Sequence, residues 1–183
     1  MGDIHDATPV TLLIAVVSRH VDALEWAREQ TERIYGVTSL ASAPFDFIET
    51  DYYAATMGAE LKKQFITFER PIDPGELAHI KRQTNMLERE FAALGKHPES
   101  RPLNLDPGYI TAAKLVLAST KDHAHRIYLR DGIYAEVTLN YRHRRWQPMD
   151  WTYPDYRRDD FQLFFSECRQ RVLNCGTANG GVK

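Results

Sequence analysis

The chain has two cysteines in 183 residues, Cys168 and Cys175, with six residues between them and no matching histidine or second cysteine pair. Neither a zinc motif nor a disulfide framework is expected, and reduced thiols point to a cytoplasmic location. Long apolar runs are also missing. Val10 to Val17 is far too short to span a bilayer, and it follows Asp3 and Asp6 instead of a basic leader, so no membrane partner is expected. The ten glycines nowhere form a phosphate loop ending in Lys-Ser or Lys-Thr, and no dinucleotide fingerprint follows the first apolar run. A conventional nucleotide-hydrolase core is thereby set aside, and no Gly-x-Ser-x-Gly elbow is present. Charge of neither sign dominates: 23 Lys and Arg face 25 Asp and Glu, for a net charge of -2 and a pI near 6.4. Nothing in that balance attracts nucleic acid or an anionic membrane, so nucleic acid is not an expected partner.

What is present is ordinary globular material, 43% hydrophobic and 26% charged. It fits one domain over residues 1–183, with a core from about 10 to 173 and a Gly-rich flexible tail at 175–183. Val10 to Ser18 reads as a buried strand, and a helix follows from Ser18 or His20 to Gly36, with Leu24, Ala27 and Ile34 on its apolar stripe. Residues 37 to 46 read as a loop. Phe45 to Thr50 and Gln64 to Phe68 are strand candidates flanking the polar aromatic segment Asp51-Tyr52-Tyr53, where packing is the expected role of the tyrosines. The clearest helix spans 73–94, with Asp73 capping, Pro74 in the first turn and Gly95 at the stop. Its buried stripe is Leu77, Ile80, Thr84, Leu87, Phe91 and Leu94. Beside that stripe runs a polar row, Lys81, Asn85 and Glu88, which gains meaning only by facing a cavity. A last helix, about Arg158 to Leu173, sets Phe161, Phe164, Phe165, Cys168 and Val172 on one side.

The pattern implies an α+β fold, with a mostly antiparallel or mixed sheet and about three helices packed mainly on one face. A ferredoxin-like split β-α-β arrangement is one option. Asp131-Gly132 marks a hairpin. A three-residue loop, Arg130 to Gly132, pairs Leu129 with Ile133, Ile127 with Ala135 and His125 with Val137. The other face then carries Arg126 opposite Glu136 and Tyr128 opposite Tyr134, and the preceding run from Ala113 places Lys114 beside Tyr128.

That polar face is the candidate site. Lys114, Lys121, Arg126, Tyr128 and Tyr134 are the candidate ligand-binding residues for a phosphorylated or otherwise anionic small molecule. Asp106, aimed by the constrained turn Asp-Pro-Gly-Tyr, and Glu136 are the candidate catalytic carboxylates. No metal site is assigned, although His123 and His125 beside Asp122 have a weak ligand spacing. The cofactor is unknown. The alternative is a non-catalytic module in which the polar sheet face or the Trp146 to Tyr156 aromatic segment docks a protein partner. Arg142 to Trp146, basic and aromatic, reads as a solvated strand end.

Several segments together resemble a bacterial family of unknown function whose members are often labelled "GTP-binding protein". They are Tyr52-Tyr53 with Met57-Gly58, KRQTNMLE (81–88), NLDPGY (104–109), LVLASTKD (115–122), HRIY (125–128), GIYAEVTL (132–139) and TYPDY (152–156). The resemblance spans roughly residues 10 to 173. It implies GTP as a ligand through the label alone: Thr120-Lys121-Asp122 lacks the Asn and the intervening residue of the guanine-reading Asn-Lys-x-Asp signature. The family's Met-Gly usually follows an acidic residue, where this chain has Thr56.

Overall fold

In the computed structural model, which describes residues 2–49 and 53–178 with side chains through 174, nine strands form one antiparallel sheet. Asp51 and Tyr52, and the end of the tail from residue 179, lie outside the described residues. The strands are β1 (Thr11–Ser18), β2 (Thr38–Ala41), β3 (Phe45–Asp46), β4 (Lys62–Phe68), β5 (Asn104–Ile110), β6 (Lys114–Ser119), β7 (Ile127–Arg130), β8 (Ile133–Arg142) and β9 (Arg145–Pro148). The helices are α1 (Val21–Tyr35), α2 (Ala54–Met57), α3 (Leu77–Ala93) and α4 (Asp159–Ala178).

The sheet order is β2-β4-β1-β5-β6-β8-β7, with β3 on β4 and β9 on β8. Its first half is the split β-α-β arrangement: β4 lies between β1 and β2, and α1 and α3 cover one face. Leu12, Ile14 and Val16 of β1 pack there against Leu24, Ala27, Ile80, Leu87 and Phe91. Leu13 and Ala15 point the other way, into a cluster with Phe161, Phe164 and Phe165 of α4. β1 is thus buried on both faces, which is why it reads as an unbroken apolar run. Two of the three long helices share a face, and α4 takes the opposite one.

Local details depart from the sequence reading. The segment 37–46 contains β2 and β3, because its short strands pair with the edge of β4. Ile34 is exposed, and α1 buries Thr31 and Tyr35 instead; the Thr31 hydroxyl, donating to Ala27 O at 2.8 Å, satisfies itself inside its own helix. Leu94 is likewise exposed, beyond the end of α3. Asp73 caps a 3-10 turn, Pro74–Glu76, that leads into α3, its Oδ1 accepting from Gly75 N at 2.7 Å.

The β7–β8 hairpin closes with the two-residue turn Asp131-Gly132, both at positive φ (55° and 75°), and not with three residues. Arg130, not Leu129, opposes Ile133. A bulge at Leu129 then restores the expected pairs Ile127 with Ala135 and Tyr128 with Tyr134. The run from Lys114 pairs with β8, not β7, so Lys114 sits opposite Asn140 and not beside Tyr128. His143 and Arg144, also at positive φ, turn β8 into β9 and bury Trp146 against α4; the basic run is a hairpin turn.

The largest departure is NLDPGYI. It is a strand, β5, in the middle of the sheet, where a proline is rarely tolerated. β5 pairs with β1 along its whole length, but with β6 only from Gly108 onward, ending at Gly108 opposite Leu117. β6 continues to Ser119 along β8, and β5 runs back to Asn104 along β1. The two strands therefore part like a fork. Backbone groups alternate along a strand, so Pro107 directs its missing N–H to the side that Leu105 faces, into the gap, where no strand would receive it. Gly108 is needed at the crotch: a Cβ there would lie 2.2 Å from Val116 O.

Candidate functional site

The fork opens a cavity of about 690 Å³, within the size range of small-molecule sites. Its wall on the β5 side is built by α3. Leu105, with no strand beside it in the gap, donates its N–H to Glu88 Oε1 (2.8 Å), and its carbonyl accepts from Lys81 Nζ (2.8 Å). Lys81 also holds Asp106 Oδ1 at 3.0 Å, and Asn104 Nδ2 donates to Asp106 Oδ2 at 2.7 Å. Arg101 closes the chain, donating to Glu88 Oε2 (2.8 Å) and to Asn104. The polar row Lys81, Asn85 and Glu88 thus faces a cavity.

Electrostatics separate the two carboxylates of this wall. Burial alone would raise the Asp106 carboxyl, but Lys81 and Lys63, with hydrogen bonds from Lys81 and Asn104, bring it down to about 2. Burial pushes Glu88 above its ordinary range, against the pull of Lys81, Arg101 and the Leu105 N–H. Asp106 is ionised and, with its side chain 29% exposed, is the most open of the paired carboxylates in the lining.

The opposite wall is a knot around Arg126. Its Nε donates to Glu136 Oε2 (2.7 Å), one terminal nitrogen to Ser119 Oγ (2.7 Å) and Lys121 O (2.9 Å), and the other to Tyr153 Oη (2.7 Å). Glu136 also accepts from His125 Nε2 at 3.0 Å and Thr138 Oγ1 at 3.3 Å. The side chains of Arg126 and Glu136 are 2% and 1% exposed. Arg126 opposite Glu136 is the expected cross-strand pair, and both line the cavity, but four of the guanidinium's five donors are spent on the protein.

The floor is aromatic. Lys63 Nζ sits 4.7 Å from the Phe47 ring centre and 4.5 Å from that of Tyr156, while bonding Asp155 Oδ2 at 2.5 Å. Tyr156 is fully buried, yet its hydroxyl finds no hydrogen-bond partner among the described residues. Burial first, then the charges of Asp155, Asp106 and Glu136 and the Tyr53 phenol, push its phenol well above the ordinary range, which keeps it a donor.

Of the sequence-derived candidates, the structure brings together Asp106, Glu136, Lys121 and Arg126 in one lining. Lys114, Tyr128 and Tyr134 are elsewhere. Lys114 is exposed at the far end of β6, because β8 and not β7 is its neighbour. Tyr128 and Tyr134 pack edge to face at 5.3 Å, outside the cavity, because β7 is the last strand of the sheet. His123 and His125 stack on each other, and His125 on Trp151 and against Glu136, with no cluster of metal ligands around them among the described residues. Sequence reasoning missed Lys63, Arg101, Asn104, Asp155 and Tyr156 as site residues. Asn104, Asp155 and Tyr156 lie inside NLDPGY and TYPDY, so the signal was in the segments that carry the resemblance; Lys63 and Arg101 had none.

A family model described as a domain of unknown function, DUF4416, matches residues 8–172. The chain belongs to this DUF4416 family. The match takes in every strand and helix named above except the last residues of α4, and hence the whole cavity. The search of the curated proteins and that of the solved structures each give no match. No helix among the described residues is long and apolar enough to cross a membrane.

Proposed function

We propose that this DUF4416 chain binds a phosphorylated or otherwise anionic small molecule, such as a nucleotide, in the cavity of the β5–β6 fork. The observation that carries the reading is the lining itself. Its five carboxylates among the described residues each have a cation as partner: Asp106 has Lys81, Glu88 has Arg101, Glu136 has Arg126, Asp155 has Lys63, and Glu49 has Arg158, which lies outside the lining and also holds Asp160. Among the described residues the lining holds six Lys and Arg against those five carboxylates, and the Tyr156 hydroxyl, buried at its floor, is a donor with no acceptor among the described residues. Cationic and hydroxyl donors around a sheltered hollow suit an anion, and Phe47, Tyr53 and Tyr156 suit a ring beside it. All seven segments on which the sequence resemblance rests send at least one residue into this lining, from Tyr53 through Lys81, Asp106, Lys121, Arg126 and Glu136 to Tyr156. Asp106, ionised and partly open, would accept a hydrogen bond from a ligand hydroxyl or amine.

The rival reading, a protein-docking face over Trp146 to Tyr156, is left with Trp151 and the exposed Tyr153 as aromatic anchors, since Trp146 and Tyr156 are in the core. A thermal-shift panel of GTP, other nucleotides, phosphorylated metabolites and simple carboxylates on the full chain tests the proposal. A phosphorylated or carboxylated compound should raise the melting temperature, and Arg89→Ala, at an exposed rim position, should reduce that rise while leaving the ligand-free melting temperature unchanged. No shift from any anionic compound, or shifts indifferent to the rim and the floor, would overturn it.

A further inference from the structure

Away from the fork, where the N-terminus of α1 meets the segment that follows α3, two histidines and two carboxylates gather without any part in the cavity. His20 precedes the first turn of α1, and Asp22 lies in that turn. His97 follows Gly95, the residue at φ 63° that turns the chain out of α3, and Glu99 comes two residues later. The two imidazoles stack with centres 3.6 Å apart and planes 14° from parallel. His97 Nε2 lies 3.1 Å from Asp22 Oδ2, and His20 Nε2 lies 3.0 Å from Glu99 Oε2. One ligand atom from each of His20, Asp22 and His97 can be chosen so that all three lie within 4.8 Å of one another.

From this geometry we infer that His20, Asp22 and His97 form a binding site for a divalent transition-metal ion of the zinc type. Two imidazoles and a carboxylate are a donor set that such ions take, with bonds near 2.0–2.2 Å and a remaining position for water. Imidazole nitrogens donate in the ring plane, so binding would swing one of the stacked rings out of the stack to bring the three atoms onto one centre. With the ion on His20 Nδ1, Glu99 on Nε2 would be the carboxylate behind a ligating histidine that fixes the tautomer and the ring plane. It is itself held by Arg19, whose terminal nitrogen lies 3.4 Å away. The side chains of His20 and His97 are 21% and 15% exposed, sheltered enough to be oriented and open enough for an ion to enter. The positive end of α1 disfavours a cation there by itself, and the two carboxylates outweigh it.

The ion would tie α1 to the segment 97–103. Arg101, in that segment, reaches Glu88 and Asn104 in the cavity wall, so the site is also placed to steady one wall of the fork. The inference does not depend on what the cavity binds.

Zn2+ added to chelator-treated full-length protein, followed by titration calorimetry, is the test. One equivalent should bind and raise the melting temperature, and His20→Ala, His97→Ala and Asp22→Asn should each weaken binding at least about tenfold. In case a variant unfolds, Co2+ added to the wild-type protein should shift and broaden the ring-proton signals of His20 and His97 and leave those of the other five histidines sharp. Absence of stoichiometric binding by the wild type, undiminished binding by folded variants, or paramagnetic effects centred on His123 and His125 would each overturn the assignment.

Discussion

The two walls of the cavity use the same chemistry to different ends. On the β8 side, Arg126 and Glu136 are sealed, their hydrogen bonds spent on each other and on neighbouring strands and loops. On the β5 side, Lys81, Asn104 and Arg101 hold Asp106 and Glu88 in a chain that leaves the Asp106 carboxylate partly open. One wall is a strut and the other presents a working face. Charged residues at a cavity cannot be ranked by presence alone; what separates them is how many of their hydrogen-bonding positions the protein already occupies.

The sharpest break of that comparison is Arg126→Ala. It takes the guanidinium from a Glu136 side chain that is 1% exposed, leaving it only His125 and Thr138, and removes partners from Ser119 and Tyr153, so we expect a loss of about 3 kcal/mol in urea unfolding, too large for the variant to serve as a clean probe of binding. Lys81→Met on the open wall should cost less, about 2 kcal/mol, because Asp106 keeps Asn104 and can turn to water. A Lys81→Met loss as large as that of Arg126→Ala would erase the distinction between the walls.

Acid titration separates them further. The folded Asp106 carboxyl is held at about 2, below its unfolded value near 4, so its ionised form contributes stability above pH 4. That contribution, up to about 2 kcal/mol, is lost as pH falls from 4 to 2. Asp106→Asn should therefore be less stable than wild type at pH 7 and should lose less on acidification, and parallel stability curves for the two proteins would contradict the assignment. The smallest effect belongs to the rim, where Arg89→Ala should change stability by less than about 0.5 kcal/mol while weakening any anion-induced shift.

How far the sequence reaches differs by region for physical reasons. β1 was legible as an unbroken apolar run, and α3 and α4 because period-3.6 burial writes itself into the side chains. β5 was not, since Asp-Pro-Gly is turn chemistry locally, and only the tertiary parting of β5 from β6 makes room for a proline in a central strand. The β7–β8 turn failed differently. Asp131-Gly132 is the strongest two-residue hairpin signal, but the bulge at Leu129 that reconciles it with the face pattern leaves no sequence mark. Arg126 with Glu136 followed from cross-strand register. Lys114 failed because strand order is a long-range fact: inserting β8 between β6 and β7 moved it away from the tyrosines. Lys63 and Arg101 carry no local pattern at all.

The claim that the fork is a ligand site meets its most direct test at Tyr156. Tyr156→Phe removes only a buried hydroxyl that has no partner among the described residues. Melting curves of wild type and Tyr156→Phe, each with and without the anion that shifts the wild type most, should show the ligand-free variant as stable as wild type or more stable, by up to about 1 kcal/mol, and its ligand-induced shift clearly reduced. A variant that melts lower without ligand, yet responds to the anion as strongly as wild type, would mean that the hydroxyl serves the fold and that the cavity does not use it for binding.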